Sequence, residues 1–263
     1  MQVCWQITVG RRFNHSIIEE SHLMSKPTIY AMIPARYGST RLKMKNLALI
    51  DGKPMISYAI EAAKNSAVFD KVVLNSEHEI FRPIAERYQV DFYHRPQDLG
   101  SSQAKSDSVV ADFMQAYPEA DIVAWVNSTS PFQIGDEVAE VINYFVDEGL
   151  DSLITVENKQ AHCLFNNQPL NYTIDGLFAQ TQDLEPVQPF VYSIMMWRSK
   201  VFLQEFKEKG AALFCGRFGV FQARKLTGII IKTQDDLMIA DLLMQGMSLQ
   251  GSGYRLEYDE LVD

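Results

Sequence analysis

Four cations fall within ten residues, Arg36, Arg41, Lys43 and Lys45, in the segment Ile33-Pro34-Ala35-Arg36-Tyr37-Gly38-Ser39-Thr40-Arg41-Leu42-Lys43-Met44-Lys45-Asn46-Leu47. The chain around them is acidic, with 33 Asp and Glu against 24 Lys and Arg and a net charge of −9. Such a concentrated basic loop is suited to a polyphosphate, and Gly38 and Ser39 let backbone N–H groups approach its oxygens. A merely solvated basic loop is the plainer alternative, and the residues by themselves leave both open. The segment is neither a GxxxxGK[ST] loop nor a GxGxxG turn.

Other chemistry-bearing residues are more scattered. His78, His94 and His162 share no metal-ligand spacing and read as loop or packed histidines. Ser130 has no evident His and Asp partners for a hydrolytic triad. Met195, Met196 and Trp197 at a strand end read as packing. Cys4, Cys163 and Cys215 form no CxxC pair. A sparse, odd set argues against a disulfide scaffold and for a reducing, cytoplasmic setting.

These residues need a scaffold, and the hydrophobic pattern supplies one. Lys26–Ala35 is a short apolar run that reads as a buried strand, and the basic loop follows its carboxyl end, where open α/β sheets bind ligands. Helical spacing places helices over Pro54–Asn65, Glu79–Tyr88, Ser106–Tyr117, Asp136–Glu148, Lys200–Lys209 and Thr233–Gln245. Strands are expected at Asp70–Asn75, Val90–Tyr93, Asp121–Val126, Ser152–Val156, Phe190–Trp197, Phe218–Ala223 and Gly228–Ile231. The alternation gives an α/β fold with a mostly parallel sheet covered on both faces. Between Asn158 and Gln188 the rhythm breaks into an excursion, with short strands expected near Cys163–Asn166 and Tyr172–Ile174. Glu185–Pro189 reads as a stiff extended linker.

The length of 263 residues allows one large domain or a domain with an insertion. Residues 1–25 read as an N-terminal tail and 26–263 as the domain, with Met24 just ahead of the first strand. At 47% hydrophobic and 22% charged residues, global disorder is excluded. The acidic balance argues against a nucleic-acid partner. No window reaches the roughly 18 apolar residues a membrane-spanning helix needs.

Five segments, in order, carry a family resemblance: IPARYGSTRLKMKNL, GKPMISYAIEAA, FDKVVLNSEHEI, HRPQDL and STSPF. Together they resemble the cytidylyltransferases that activate acidic sugars, nearest the acylneuraminate type with its pseudaminic and legionaminic relatives. The opening also resembles the CMP-KDO synthetases. The resemblance runs from about Ile29 to Ala240. It implies a Rossmann-like three-layer nucleotidyltransferase fold in which a sugar hydroxyl attacks the α-phosphorus of CTP and pyrophosphate leaves. It further implies that Arg36 and Lys45 are phosphate-binding cations, that Ser39 and Arg41 lie in the phosphate loop, and that Asn46 lies near the nucleotide. Lys71 matches a basic position on the base-binding strand. Asn127 matches a position beside the sugar, although a turn-capping asparagine explains it equally. Mg²⁺ and a homodimer are implied in the same way; because Mg²⁺ needs few protein ligands it is expected to be carried mainly by CTP, and the 158–188 excursion is a candidate dimer contact.

The departures are specific. The family places metal-holding aspartates in D-x-D-T-x-x-D-L, and here those two positions are Ile230 and Lys232. Neither side chain offers an oxygen to Mg²⁺. No protein metal ligand is therefore assigned, and Lys232 joins Arg36 and Lys45 as a candidate phosphate-side cation. Thr233 and Asp236 match and read as a capping box. Gln180 and Thr181 replace an arginine-rich stretch, Ser193-Ile194 replaces Asn-Gly, and Glu77 replaces a frequent aspartate. Three readings follow: an active transferase with an altered metal site or unusual substrate, a nucleotide- or partner-binding protein without transfer, and a transferase using a different nucleotide or acceptor.

Overall fold

The computed structural model describes residues 26–39 and 41–250. The expected tail, with Cys4 and Met24, lies outside the described residues. The first strand, β1 (Ile29–Ala35), is buried along its whole length. Its side chains part alternately to two faces, as a pleated strand requires. Tyr30 and Met32 join one apolar cluster, while Ala31, Ile33 and Ala35 join another.

After β1 come a short hairpin, β2 (Leu49–Ile50) and β3 (Lys53–Pro54), and helix α1 (Met55–Asn65). Then follow β4 (Lys71–Ser76), α2 (Arg82–Tyr88), β5 (Asp91–His94), α3 (Ser106–Ala116), β6 (Ile122–Val126), α4 (Gly135–Asp147) and β7 (Ser152–Val156). The excursion holds a small hairpin, β8 (Leu164–Phe165) and β9 (Gln168–Pro169). The chain returns as β10 (Phe190–Arg198), α5 (Ser199–Lys209), β11 (Phe218–Gln222) and α6 (Gln234–Gln250). Seven strands form one sheet in the order β11-β7-β10-β6-β1-β4-β5. β1 runs parallel to β4 and β6, β4 to β5, and β11 to β7; β10 alone is antiparallel, to both β6 and β7.

Helices cover both faces. Phe113 of α3 and Phe202 of α5 pack with Trp197, Met32 and Val123 on one side. Ile56 and Ile60 of α1, Ile84 of α2, and Val141 and Phe145 of α4 pack on the other. The result is the expected three-layer α/β architecture. Met195, Met196 and Trp197 are core residues, and the Trp197 Nε1 donates to Leu213 O at 3.0 Å.

Several elements differ from the sequence reading. Gly228–Ile231 is not a strand: Ile231 is fully buried, but against Ile50, Met55, Phe132 and Ala240 rather than in a ladder. Tyr172–Ile174 forms no strand, and the excursion's hairpin is instead turned by Asn166 and Asn167, both at positive φ. The β2–β3 hairpin was not expected, although Asp51-Gly52, with φ of 46° and 75°, is the dipeptide that favours such a turn. Pro54 precedes α1 as its N-cap instead of opening it.

Candidate functional site: a cationic cleft at the carboxyl ends of the strands

Parallel β1, β5 and β6 end on one edge of the sheet, and the segments that follow them line a cleft of about 300 Å³. Its lining includes Pro34, Ala35, Arg36, Lys45, Asn46, Arg95, Asn127, Ser128 and Thr129. Four sequence-predicted residues, Arg36, Lys45, Asn46 and Asn127, therefore meet at one place.

The floor is built from backbone carbonyls and small polar groups. Ser128 Oγ donates to Pro34 O at 2.7 Å and lies 3.0 Å from Asn46 Oδ1. Buried Asn46 places its Nδ2 3.4 Å from Arg36 O. The end of β6 is thereby tied to the basic loop. Asn127 behaves as a turn residue: its Oδ1 accepts from Thr129 N and Thr129 Oγ1, both at 3.0 Å, and its Nδ2 donates to Tyr192 O at 2.9 Å. The plain structural role holds, and the residue still faces the cleft.

Lys45 opens a short 3₁₀ turn, Lys45–Leu47, after Met44 at positive φ. Its Nζ donates to Ile231 O at 3.1 Å. Burial, with the charges of Arg41 and Arg36 beside it and Lys232 further contributing, lowers its pKa to about 8; Asp236 opposes the shift. Arg41, Lys43 and Lys232 are exposed, and Ser39 is half-buried in the same loop. Arg36 and Lys45 line the cleft, and Arg41 and Lys232, outside its lining, complete the group of cations whose charges act on Lys45.

Lys71 is not part of that group. It pairs in register with Tyr30 at the start of β1, whereas the cleft lies beyond Ala35 and Ser76. Five residues of strand separate them, about 16 Å. Lys71 instead sits over the rings of Tyr30 and Tyr117 and pairs with Asp91 at 3.4 Å. Its assignment to the base-binding strand does not bring it to the cleft, because it begins the strand whose far end is used.

Sequence reasoning assigned no site role to Arg95, which lines the cleft, and marked its partner Glu77 only as replacing a frequent aspartate. Arg95 and Glu77, 4% and 3% exposed, form a buried ion pair at 2.8 Å under the loop. Arg95 Nη2 also donates to Ala35 O at 2.9 Å, and its Nη1 to Asn75 O at 3.2 Å. Glu77 Oε1 accepts from Tyr37 N at 2.7 Å. The pair clamps the basic loop to the ends of β4 and β5. Gly100 permits it: a Cβ there would lie 2.2 Å from Glu77 Cγ. Burial lowers the Arg95 pKa despite the carboxylate. Arg95 Nε and Trp125 Nε1, on two cleft-lining residues, are buried donors without an acceptor among the described residues. His78 stacks on Tyr37 with ring centroids 4.2 Å apart, and its Nδ1 accepts from Ile80 N.

A family model described as "Cytidylyltransferase" matches residues 30–241. The chain belongs to the cytidylyltransferase family. It is 27% identical over 215 residues to an N-acylneuraminate cytidylyltransferase of Streptococcus agalactiae serotype V, covering 79% of this chain and 51% of that protein. It is 28% identical over 185 residues to a pseudaminic acid cytidylyltransferase of Campylobacter jejuni, covering 66% and 80%. The chain spans about half the length of the first of these relatives. Its fold matches a CMP:2-keto-3-deoxy-manno-octonic acid synthetase complexed with CTP, with a TM-score of 0.63, 18% identity, and coverage of 84% and 100%. A 4-diphosphocytidyl-2C-methyl-D-erythritol synthase from Anaerococcus prevotii matches with a TM-score of 0.61 and 14% identity. These likenesses establish the nucleotidyltransferase fold.

The Mg²⁺ site that the family resemblance implies does not fit the residues present. Ile230 and Lys232 bring no side-chain oxygen, and Asp236 is engaged in capping. Its Oδ2 accepts from Lys232 N and Thr233 N, both at 2.8 Å, while Asp236 N donates to Thr233 Oγ1 at 3.2 Å. Burial opposes ionisation, but those backbone donors prevail and lower the Asp236 pKa. Among the described residues no three His, Cys, Asp or Glu side chains gather as a metal site.

Proposed function

We propose that this cytidylyltransferase transfers CMP from CTP to an acidic sugar and releases pyrophosphate. The observation that carries the reading is the cationic cleft at the carboxyl ends of β1, β5 and β6, in a chain whose net charge is −9. Relatives named for N-acylneuraminate and pseudaminic acid support an acidic acceptor. In the proposed reaction the sugar hydroxyl oxygen bonds to the α-phosphorus. The bond from that phosphorus to the β-phosphate bridge breaks, pyrophosphate carries away the electron pair, and the hydroxyl proton is released. Arg36 and Lys45 would hold the triphosphate and screen the charge that develops on the leaving group. Ser39 and Arg41 would close the loop over it, and Asn46 and Asn127 would position nucleotide and sugar. Any Mg²⁺ would arrive on CTP, held by phosphates and water.

Ile230 and Lys232 also support a second reading, in which the cleft binds nucleotide without transfer. Pyrophosphate release with CTP, across a panel of nonulosonic acids and KDO and with and without Mg²⁺, separates the two. Release with one acceptor establishes the transferase. CTP binding without release for any acceptor favours the second reading.

The proposal extends to a homodimer. The excursion exposes Leu164, Phe165, Leu170, Ile174, Leu177 and Phe178, apolar side chains that a second copy would cover.

A further inference from the structure

We infer that the chain holds its triphosphate with fixed cations, Lys232 among them, without needing a divalent ion at the position where the family places carboxylates. The inference rests on the proposed use of CTP. The backbone around position 231 is held from three directions. Ile231 N donates to Thr129 O at 2.9 Å, Ile231 O accepts from Lys45 Nζ, and the side chain is locked in the cluster with Ile50, Phe132 and Ala240. Thr129 and Lys45 both line the cleft, so residues 230 and 232 flank a fixed point on its rim.

Position 230 is a half-buried isoleucine and 232 an exposed lysine. Among the described residues no carboxylate pairs with Arg36, Arg41, Lys43 or Lys232. The Asp236 charge opposes the shift at Lys45, and its Oδ2 already serves two backbone donors. Arg41, Arg36 and Lys232 each disfavour the charged form of Lys45, and a polyphosphate relieves that repulsion. A Mg²⁺ held beside Lys232 would meet a repelling ammonium. The ammonium itself supplies positive charge there, though it cannot align two oxygens as a metal does.

The test is calorimetric titration of pyrophosphate and of CTP, each in EDTA and in Mg²⁺, with wild type, Lys232→Ala and Ile230→Asp/Lys232→Asp. Pyrophosphate and CTP should bind wild type in EDTA nearly as well as in Mg²⁺. Lys232→Ala should lose about tenfold or more, the value of one charge-assisted contact. In the double variant, CTP affinity should fall in EDTA and recover in Mg²⁺. Lys232 is exposed, and an unchanged melting curve confirms the variants fold. If wild type binds both ligands only with Mg²⁺, or Lys232→Ala binds unchanged, the inference is overturned and the cytidylyltransferase reading stands. If pyrophosphate binds in EDTA but CTP shows no advantage over ATP, GTP and UTP, the cation site stands and the CTP reading falls. No binding of either ligand under any condition overturns both.

Discussion

Lys45 ties charge to pH. Its pKa near 8 lies below the 10.5 of a free lysine because burial and neighbouring cations penalise its charged form. The unfolded chain therefore binds more protons between these values, and Lys45 makes the free protein more stable as pH rises from about 8 to 10.5. Ligand binding should run the other way. A bound triphosphate favours the protonated lysine, so CTP affinity should fall as pH rises through 8, and binding near pH 8 should take up a fraction of a proton. Calorimetry in buffers of different ionisation enthalpy measures that uptake, and a zero value would remove Lys45 from the phosphate site. The buried clamp gives a second expectation. Glu77→Ala strands the Arg95 guanidinium and leaves Tyr37 N without its acceptor. It should cost about 3–5 kcal/mol in urea unfolding. Gly100→Ala, whose Cβ would strike Glu77 Cγ, should weaken CTP binding with a smaller loss of stability. The cations of the loop were legible from sequence because they fall within ten residues of one another. The clamp was not, because an acid after β4 and a base at the end of β5 become partners only when two parallel strands lie side by side.

At the scale of elements, helix termini position the site. Thr233 and Asp236 cap α6 as a reciprocal pair, recognisable in the sequence from their spacing. Thr233→Ala should cost about 0.5–2 kcal/mol, read by thermal unfolding. It should also lower CTP affinity, since the cap holds the backbone of Lys232. Gly135 opens α4 where that helix crosses the end of α1. A Cβ there would lie 2.7 Å from the backbone carbon of Asn65, which cannot swing aside. Gly135→Ala should cost about 1–3 kcal/mol as overpacking, with the cleft's affinity unchanged if α4 shifts alone. Long helices and buried strands were readable because period and burial agree in them. Gly228–Ile231 was misread because four apolar or small residues look alike whether they enter a ladder or a packed loop. Asp51-Gly52 was passed over because its flanking strands are two residues each, too short to show alternation.

For the whole molecule, the proposed dimer is the simplest quantity to measure. Light scattering should give twice the monomer mass for wild type, and Leu177→Asp with Phe178→Asp should give the monomer with the fold intact, since both side chains are exposed. An unchanged mass in the double variant would move the contact elsewhere. The antiparallel β10 has a consequence of another kind. The crossover from β6 through α4 to β7 leaves a gap between those strands, and only β10, arriving after the excursion, fills it. During synthesis the ribosome therefore delivers two unpaired strand edges well before their common neighbour exists. Unpaired edges template pairing with other chains, and late, non-local pairing is slow. Nascent chains ending at Gln188 should be protease-sensitive and prone to aggregate, and those extending past Arg198 should acquire a resistant core. The excursion's length then sets how long a growing chain remains exposed, so lengthening it should lower soluble yield in the cell even where the finished protein is equally stable.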